Sequence, residues 1–359
     1  MHHKVDVLVV GLGPAGGTAA LAAARGGLKV AAVERRKEVG LPVQCAEWIP
    51  LALLGLLPDL MPNLIQGGGI NVQSVDAMIT SLPSGETSRL RTPGMMINRA
   101  VFDQAIAATA ERAGAALYLN CRLDGLDTLR HLASVESPQG KMTFSYRVLV
   151  AADGPSSSVA KLMGLPKQAV VHARQYTVPL LQPTRETAVW LSPDFPGGYA
   201  WLFPKGDQAN LGLGMDKRFA VNLKTPLDNL HQKLVSEGRV GHTVIRRTGG
   251  LIPVGGLRSA LVAGNVLFAG DAGGFTHPVM GAGIQAAVVS GRQAGEAAVA
   301  CLDGRGRALE SYEEDMRDHF EQALSRGVKQ RVWLKAGGKD ETLRKGWVAF
   351  PEYYAGDAA

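Results

Sequence analysis

Residues 5–34 read VDVLVVGLGPAGGTAALAAARGGLKVAAVE. Val7 to Val10 form a short β-branched apolar run that suits a buried parallel strand. Gly11, Gly13 and Gly16 then supply G-x-G-x-x-G. An alanine-rich run with helical propensity follows, and Arg25-Gly26-Gly27 stops it. A second apolar strand, Val30 to Val33, ends on Glu34. Gly11 is placed for the tight strand-to-helix turn, Gly13 for close approach of backbone to a pyrophosphate, and Gly16 for helix–strand packing. Free N–H groups at the helix start favour phosphate. Glu34 stands about 20 residues on, where a carboxylate accepts ribose hydroxyls. A glycine-rich turn of another α/β fold would not explain that acid. The stretch predicts a Rossmann-like dinucleotide-binding unit.

At 359 residues the chain has room for two subdomains. No apolar run reaches the roughly 20 residues of a membrane-spanning helix. The chain enters its first strand within a few residues, so no signal peptide is expected, and His2 and His3 are given no role. The three cysteines, Cys45, Cys121 and Cys301, are scattered, and no C-x-x-C or H-E-x-x-H occurs. That argues against a structural metal and for a reducing, cytoplasmic compartment. A net charge of +6 would suit an anionic lipid surface or an acidic electron carrier. The basic residues are dispersed rather than striped with aromatics, so nucleic acid is not indicated.

Further along, Pro42 and Pro50 bracket a loop holding Cys45, Glu47 and Trp48. Leu51 to Leu57 reads as a buried helical turn or as an apolar lip near a greasy ligand or membrane. Residues 67–94 alternate apolar and polar and turn at Pro83-Ser84-Gly85, which predicts a hairpin. A helix opens at Asn98-Arg99, runs through Ala113 and closes at Gly114. Arg99 in its first turn opposes the helix dipole, so a phosphate or another partner must favour it. Strands are expected over 117–127 and 141–146. Val148 to Ala152 returns to the buried parallel pattern, with Asp153-Gly154 turning the chain and Ser156 to Ser158 capping a helix. Residues 166–250 hold further strands. Tyr199, Trp201 and Phe203 share one face of the hairpin that turns at Lys205–Gln208. Val262 to Ala269 reads as one strand broken at Gly264-Asn265. Gly281 and Gly283 precede a small-residue helix suited to packing on a sheet. A charged helix follows Glu310, and the polar tail after Lys335 is expected to be partly loose at its end. The fold class is therefore α/β: a Rossmann-like domain (1–66, 95–165, 251–300), an inserted antiparallel substrate domain (67–94, 166–250), and C-terminal helices with a tail (301–359).

The opening βαβ, the Asp-Gly after a strand, and GDAGGFTHPVMGAGI together resemble the p-hydroxybenzoate hydroxylase-like flavoprotein superfamily. GLPVQCAEWIP, INRAVFDQAIAATAERAGA and GGYAWLFPKGDQANLGLG narrow this to the geranylgeranyl reductase family, over residues 5–300. The resemblance implies noncovalent FAD. It assigns Gly11, Gly13, Ala15 and Gly16 to the pyrophosphate, Glu34 and Arg35 to the adenosine end, and Leu123 to adenine. Cys45 and Ala46 would line the flavin and Arg99 its pyrophosphate side. Asp271 would bind the ribityl or pyrophosphate portion. Pro278, Gly281, Gly283 and Ile284 would form the loop and helix start at the flavin ring. Trp48, Met280 and Ala282 depart from the family pattern, and the short C-terminus implies a reduced closure of the lipid pocket.

On that basis the expected activity is reduction of isoprenoid carbon–carbon double bonds by hydride from reduced flavin. Cys45, Tyr199 and Trp201 are the catalytic candidates, with Cys45 or a water as proton donor. The substrate would be a hydrophobic small molecule or lipid, taken up with peripheral membrane contact. The electron donor, NAD(P)H or ferredoxin or another carrier protein, is left open. A monooxygenase or halogenase acting on an aromatic or peptide substrate is the alternative, because YAWLFP is near the halogenase W-x-W-x-I-P. A non-catalytic electron-transfer flavoprotein is the third reading. Fold alone does not choose among them.

Overall fold

The structure is a computed structural model that describes residues 1–58, 69–219, 222–336 and 339–349. Three sheets are built from these residues. The six-stranded sheet is laid down by the opening stretch. Val7–Val10 pairs in parallel with Val30–Glu34 on one side and Val148–Ala151 on the other. Ala116–Leu119 extends one edge and Val266–Phe268 the other, both in parallel. Every residue of the two opening strands is buried, as continuous apolar runs between two layers must be. Val7 and Val9 face helices, whereas Leu8 and Val10 face a second sheet with Phe144 and Val135.

The seven helices among the described residues are labelled in chain order: α1 (Pro14–Arg25), α2 (Arg99–Arg112), α3 (Ser158–Leu162), α4 (Lys224–Ser236), α5 (Ile284–Leu302), α6 (Ala308–Ala336) and α7 (Asp340–Gly346). The small residues of α5 serve a helix contact rather than a sheet contact. A Cβ at Gly291 would lie 2.1 Å from the Ala15 carbonyl oxygen, and one at Gly295 2.5 Å from that of Ala19. α5 therefore lies directly on α1, and α1 separates most of it from the sheet. The long α6 covers this pair, and Tyr312 donates its hydroxyl to the Phe268 carbonyl at 2.8 Å.

The second sheet has four strands, Arg122–Asp127, Leu132–Ser137, Gly140–Ser145 and His2–Lys4. Two of these were not foreseen. Leu132–Ser137 is too short and mixed to stand out. His2–Lys4 pairs in parallel with Gly140–Ser145, and His3 stacks on Phe144 at 5.0 Å, so this segment has a structural part after all. Val262 to Ala269 is also corrected. Gly264, at φ +61°, turns the chain back, and Val262–Ala263 pairs antiparallel with Val266–Phe268.

The third sheet has eight strands in the order Arg246–Pro253, Val170–Pro179, Gln208–Asp216, Tyr199–Lys205, Glu186–Trp190, Asn71–Ser81, Thr87–Ile97, Trp48–Pro50. It is antiparallel except between Glu186–Trp190 and Asn71–Ser81. The loop carrying Cys45 thus leads straight into its edge strand. Side chains alternate between two faces. Ala200, Leu202 and Tyr176 pack with Leu227, Leu230 and Leu234 of α4. Tyr199, Trp201 and Phe203 face the opposite way, toward Met78, Val189 and the C-terminal segment. Residues 51–56 form a 3-10 turn that buries Leu53 and leaves Leu51 exposed.

Candidate active site

A cavity of about 580 Å³ runs from the first glycine turn, between the six- and eight-stranded sheets, to an aromatic end. At the turn, Gly11 has φ +96°, and a side chain there would meet Ala152 O at 2.4 Å. Gly13 has open space where a side chain would stand, so backbone faces the cavity. Gly13 also N-caps α1 without a side-chain cap, and Ala15 lies on the wall. An uncapped helix start facing a cavity is an anion cradle. Gly16 is not on the wall. A Cβ on it would sit 1.8 Å from Gly11 O, so its smallness lets the helix close on the turn. Glu34 is aimed from both sides: Oε2 accepts from Leu12 N at 2.9 Å and Oε1 from Arg36 N at 3.0 Å. Its remaining lone pairs are free for hydroxyl donors. Leu123 lines this end, and Arg35 stands exposed at its rim.

The middle of the cavity is met by a second uncapped helix start, Gly283 and Ile284 at the head of α5. Asp271 stands beside it and accepts from Thr276 Oγ1 at 2.5 Å, and desolvation pushes its carboxyl upward. The loop between them is shaped by His277, whose Nδ1 accepts from Val279 N and Met280 N. Burial lowers His277 to about 4, so the ring stays neutral and keeps accepting. Gly281 lines the cavity, whereas Pro278 lies behind the loop, its carbonyl taking Arg331 Nη1 at 2.9 Å. Pro278 is therefore corrected from a cavity residue to a loop support.

Cys45 and Ala46 lie on the wall next to Tyr199 and Trp201. The Cys45 thiol accepts from Glu47 N at 3.2 Å, and its carbonyl accepts from Gln175 Nε2 at 3.0 Å. Gln175 Oε1 in turn accepts from Trp201 Nε1 at 3.0 Å. Trp201 thus reaches the cysteine loop through one glutamine. Glu47, at φ +71° and fully buried, is the centre of a polar knot. Its carboxylate accepts from Lys205 Nζ at 2.7 Å, Asn210 Nδ2 at 3.0 Å and Arg99 N at 3.0 Å. Arg99 lies on the wall and forks onto Asp103, both contacts at 2.9 Å. Burial works against its charge, but the Asp103 carboxylate and Cys45 together more than offset that and the net shift is upward. Burial also pushes the Cys45 thiol up, although Arg99 pulls the other way.

Four residues of this site escaped the sequence reading: Gln175, Glu47 as a hub, Lys205 and Trp347. Lys205 had a readable signal, because it continues the alternation of Tyr199, Trp201 and Phe203 onto the same strand face. Trp347 had none. It follows α7 in the polar tail and lines the aromatic end of the cavity, while the tail's end, expected to be partly loose, lies outside the described residues.

Two uncapped helix starts, a fixed carboxylate and an adjoining apolar chamber with a thiol define the class: an FAD-dependent oxidoreductase of the dinucleotide-binding α/β type. The match to known families agrees. Residues 6–49 match the FAD binding domain and residues 175–252 the geranylgeranyl reductase catalytic domain. The chain is 34% identical to the digeranylgeranylglycerophospholipid reductase 1 of Methanopyrus kandleri, over 89% of this chain and 88% of that protein. It is 32% identical to the digeranylgeranylglycerophospholipid reductase of Methanocella arvoryzae, over 92% and 87%. A crystal structure of a geranylgeranyl bacteriochlorophyll reductase-like protein from Thermoplasma acidophilum superposes with a TM-score of 0.86 at 26% identity, covering 96% of this chain and 91% of that one. The chain belongs to the geranylgeranyl reductase family of FAD-dependent enzymes.

Two expectations follow for the cofactor. The cavity wall has no histidine among the described residues, and its cysteines, Cys45 and Cys121, each have a hydrogen-bond partner. Acid precipitation is expected to release the yellow flavin into the supernatant. Colour retained in the pellet would contradict noncovalent binding. Glu34→Ala is expected to weaken FAD binding by about 1.5–3 kcal/mol, the worth of a hydrogen bond to a charged group. Glu34→Gln should fall between. Titration of apoprotein with FAD measures both, and an unchanged dissociation constant removes Glu34 from the site.

Proposed function

We propose that this enzyme saturates carbon–carbon double bonds in the isoprenoid chains of a membrane lipid of the digeranylgeranylglycerophospholipid kind. The observation that carries the reading is the continuity of the cavity: the dinucleotide cradle opens, past Cys45, into a chamber walled by Met78, Val189, Tyr199, Trp201, Phe203 and Trp347. When bound and reduced, FAD supplies a hydride to one carbon of the double bond.

The chain's own residues do the rest. Gly13, Ala15 and the α1 start hold the pyrophosphate, with Arg99 as a fixed positive charge beside it. Glu34 would hold the ribose, the backbone at Leu123 would touch adenine, Asp271 would bind the ribityl or pyrophosphate portion, and the α5 start at Gly283 and Ile284 would meet the flavin ring. The second alkene carbon needs a proton. Tyr199 has committed its hydroxyl hydrogen to the Met280 carbonyl, and Trp201 its N–H to Gln175. Cys45 is an acceptor in its hydrogen bond from Glu47 and keeps its own proton, which makes it, or a water beside it, the donor in this reading. Tyr199 and Trp201 act as chamber walls. The aromatic lining excludes water from the reacting carbons.

A lipid substrate places the enzyme at a membrane surface, and no helix among the described residues is long and apolar enough to cross a membrane. The oxygenase alternative has support from fold alone: Pseudomonas aeruginosa PqsL, described as a probable FAD-dependent monooxygenase, superposes at TM-score 0.74 with 18% identity. The deciding experiment is anaerobic. Pre-reduced enzyme is mixed with digeranylgeranylglycerophospholipid in detergent micelles. Flavin reoxidation with a product heavier by two hydrogens per bond supports the reading. Reoxidation that requires oxygen overturns it.

A further inference from the structure

The apolar end of the cavity is finished by a side chain from a distant part of the chain. All other described wall residues fall between Val10 and Ala287, and Trp347 alone comes from beyond them. α7, just before it, buries Leu343 against the cavity-side face of the eight-stranded sheet. Arg344 pairs with Glu86 at the tip of the hairpin 71–97. The Trp347 indole N–H donates to Thr80 Oγ1 at 3.2 Å, and its ring meets Tyr199 edge-on with centroids 5.1 Å apart. Tyr199 donates onward to Met280, in the loop that leads to α5. The indole is braced on the sheet from one side and, through Tyr199, on the ring-end loop from the other.

An isoprenoid chain carries double bonds at regular intervals. Which of them stands beside Cys45 depends on how far the leading end travels before it meets a wall. A large, rigid ring held at two points is such a wall. We infer that Trp347 is the stop of the chamber and decides which chain lengths, and which double bonds along a chain, are reduced. This rests on the reductase reading above and adds a specificity-determining residue to it.

The test uses FAD-loaded wild type, Trp347→Ala, Trp347→Phe and Thr80→Val, reduced and mixed anaerobically with farnesol, geranylgeraniol and longer prenyl alcohols. Fragmentation mass spectrometry reads the reduced positions, and calorimetry reads affinity without turnover. Trp347→Ala is expected to shift the preference toward longer alcohols by on the order of 10-fold or more, as pocket-depth changes of a few carbons do. Trp347→Phe should shift it in the same direction by less. Thr80→Val, which keeps the ring in place but removes one brace, should blur the reduced positions without moving the optimum. If Trp347→Ala does not fold, Trp347→Phe, which keeps the apolar packing, carries the test. Wild-type length preference and wild-type reduced positions in active, folded Trp347 variants overturn the inference alone. If neither the prenyl alcohols nor digeranylgeranylglycerophospholipid reoxidises the wild type, the reductase reading falls and takes this inference with it; if only the phospholipid does, the same variants are compared by the double bonds they reduce in it.

Discussion

Cys45→Ser is expected to retain FAD and to lose about 10²-fold or more in product formation, the usual worth of a positioned proton donor. The shape of the loop should survive, because what fixes it is backbone: the Cys45 carbonyl is held by Gln175, and Asn210 reaches the Ala46 carbonyl at 3.2 Å. A serine hydroxyl still accepts from Glu47 N, but it is a far weaker acid than a thiol. The pH profile separates chemistry from structure. Burial raises the Cys45 thiol above its ordinary value of about 8.5. A group raised in this way keeps its proton through neutral pH and loses it only as pH climbs past that range. Wild-type turnover should therefore be flat near neutrality and fall on the alkaline side, and the serine variant should lack that fall. Single-turnover oxidation of pre-reduced enzyme by geranylgeraniol measures both. A serine variant reacting at the wild-type rate takes the proton-donor role from Cys45. Trp201→Ala is a poor control for this experiment, since losing the indole also frees Gln175 from one of its partners and loosens the same loop.

The half of the site that binds the dinucleotide was legible because its chemistry is local. Gly11, Gly13, Gly16 and Glu34 fall within one βαβ unit, and their spacing alone implies a turn, a helix start and an acid at the next strand end. The alternation of Tyr199, Trp201 and Phe203 fixed a face for the same reason. The polar supports were not legible, because each of their contacts joins segments far apart in sequence. Nothing near Gln175 shows that it will bridge Trp201 and Cys45, and nothing near Glu47 announces a left-handed backbone with three donors converging on its carboxylate. The part played by the C-terminal segment was not legible for a different reason. Its polar composition is that of a solvated tail, and the few residues that matter, Leu343 and Trp347, are too sparse to form a periodic pattern. Short strands such as His2–Lys4 exist through pairing with a partner strand and have no propensity signature of their own.

Lys205→Met is expected to destabilise the enzyme by about 3 kcal/mol, at the lower end of the range for stripping one partner from a buried ion pair. Glu47 is fully buried, whereas the Lys205 side chain keeps 18% of its surface accessible. The two partners are therefore not equivalent. Methionine replaces the lysine stem and its packing but leaves the Glu47 carboxylate without its cation. Asn210 and the Arg99 N–H still donate to it, which keeps the loss from being larger. Glu47→Gln is the milder change, about 1–2 kcal/mol, since the partly exposed ammonium can turn to water. The double variant Glu47→Gln, Lys205→Met should be more stable than Lys205→Met alone, because no charge is then buried unpaired. Urea midpoints of the four proteins close the cycle. The knot also joins the two family-specific stretches, residues 45–47 and 199–205, so losing it should disturb Cys45 through the Glu47 N–H. Product formation should then fall in Lys205→Met even at temperatures where it is folded, and recover in part in the double variant. Equal midpoints for wild type and Lys205→Met would show that the pair holds nothing together. A fall in activity with no recovery in the double variant would assign Lys205 a part in the reaction apart from Glu47.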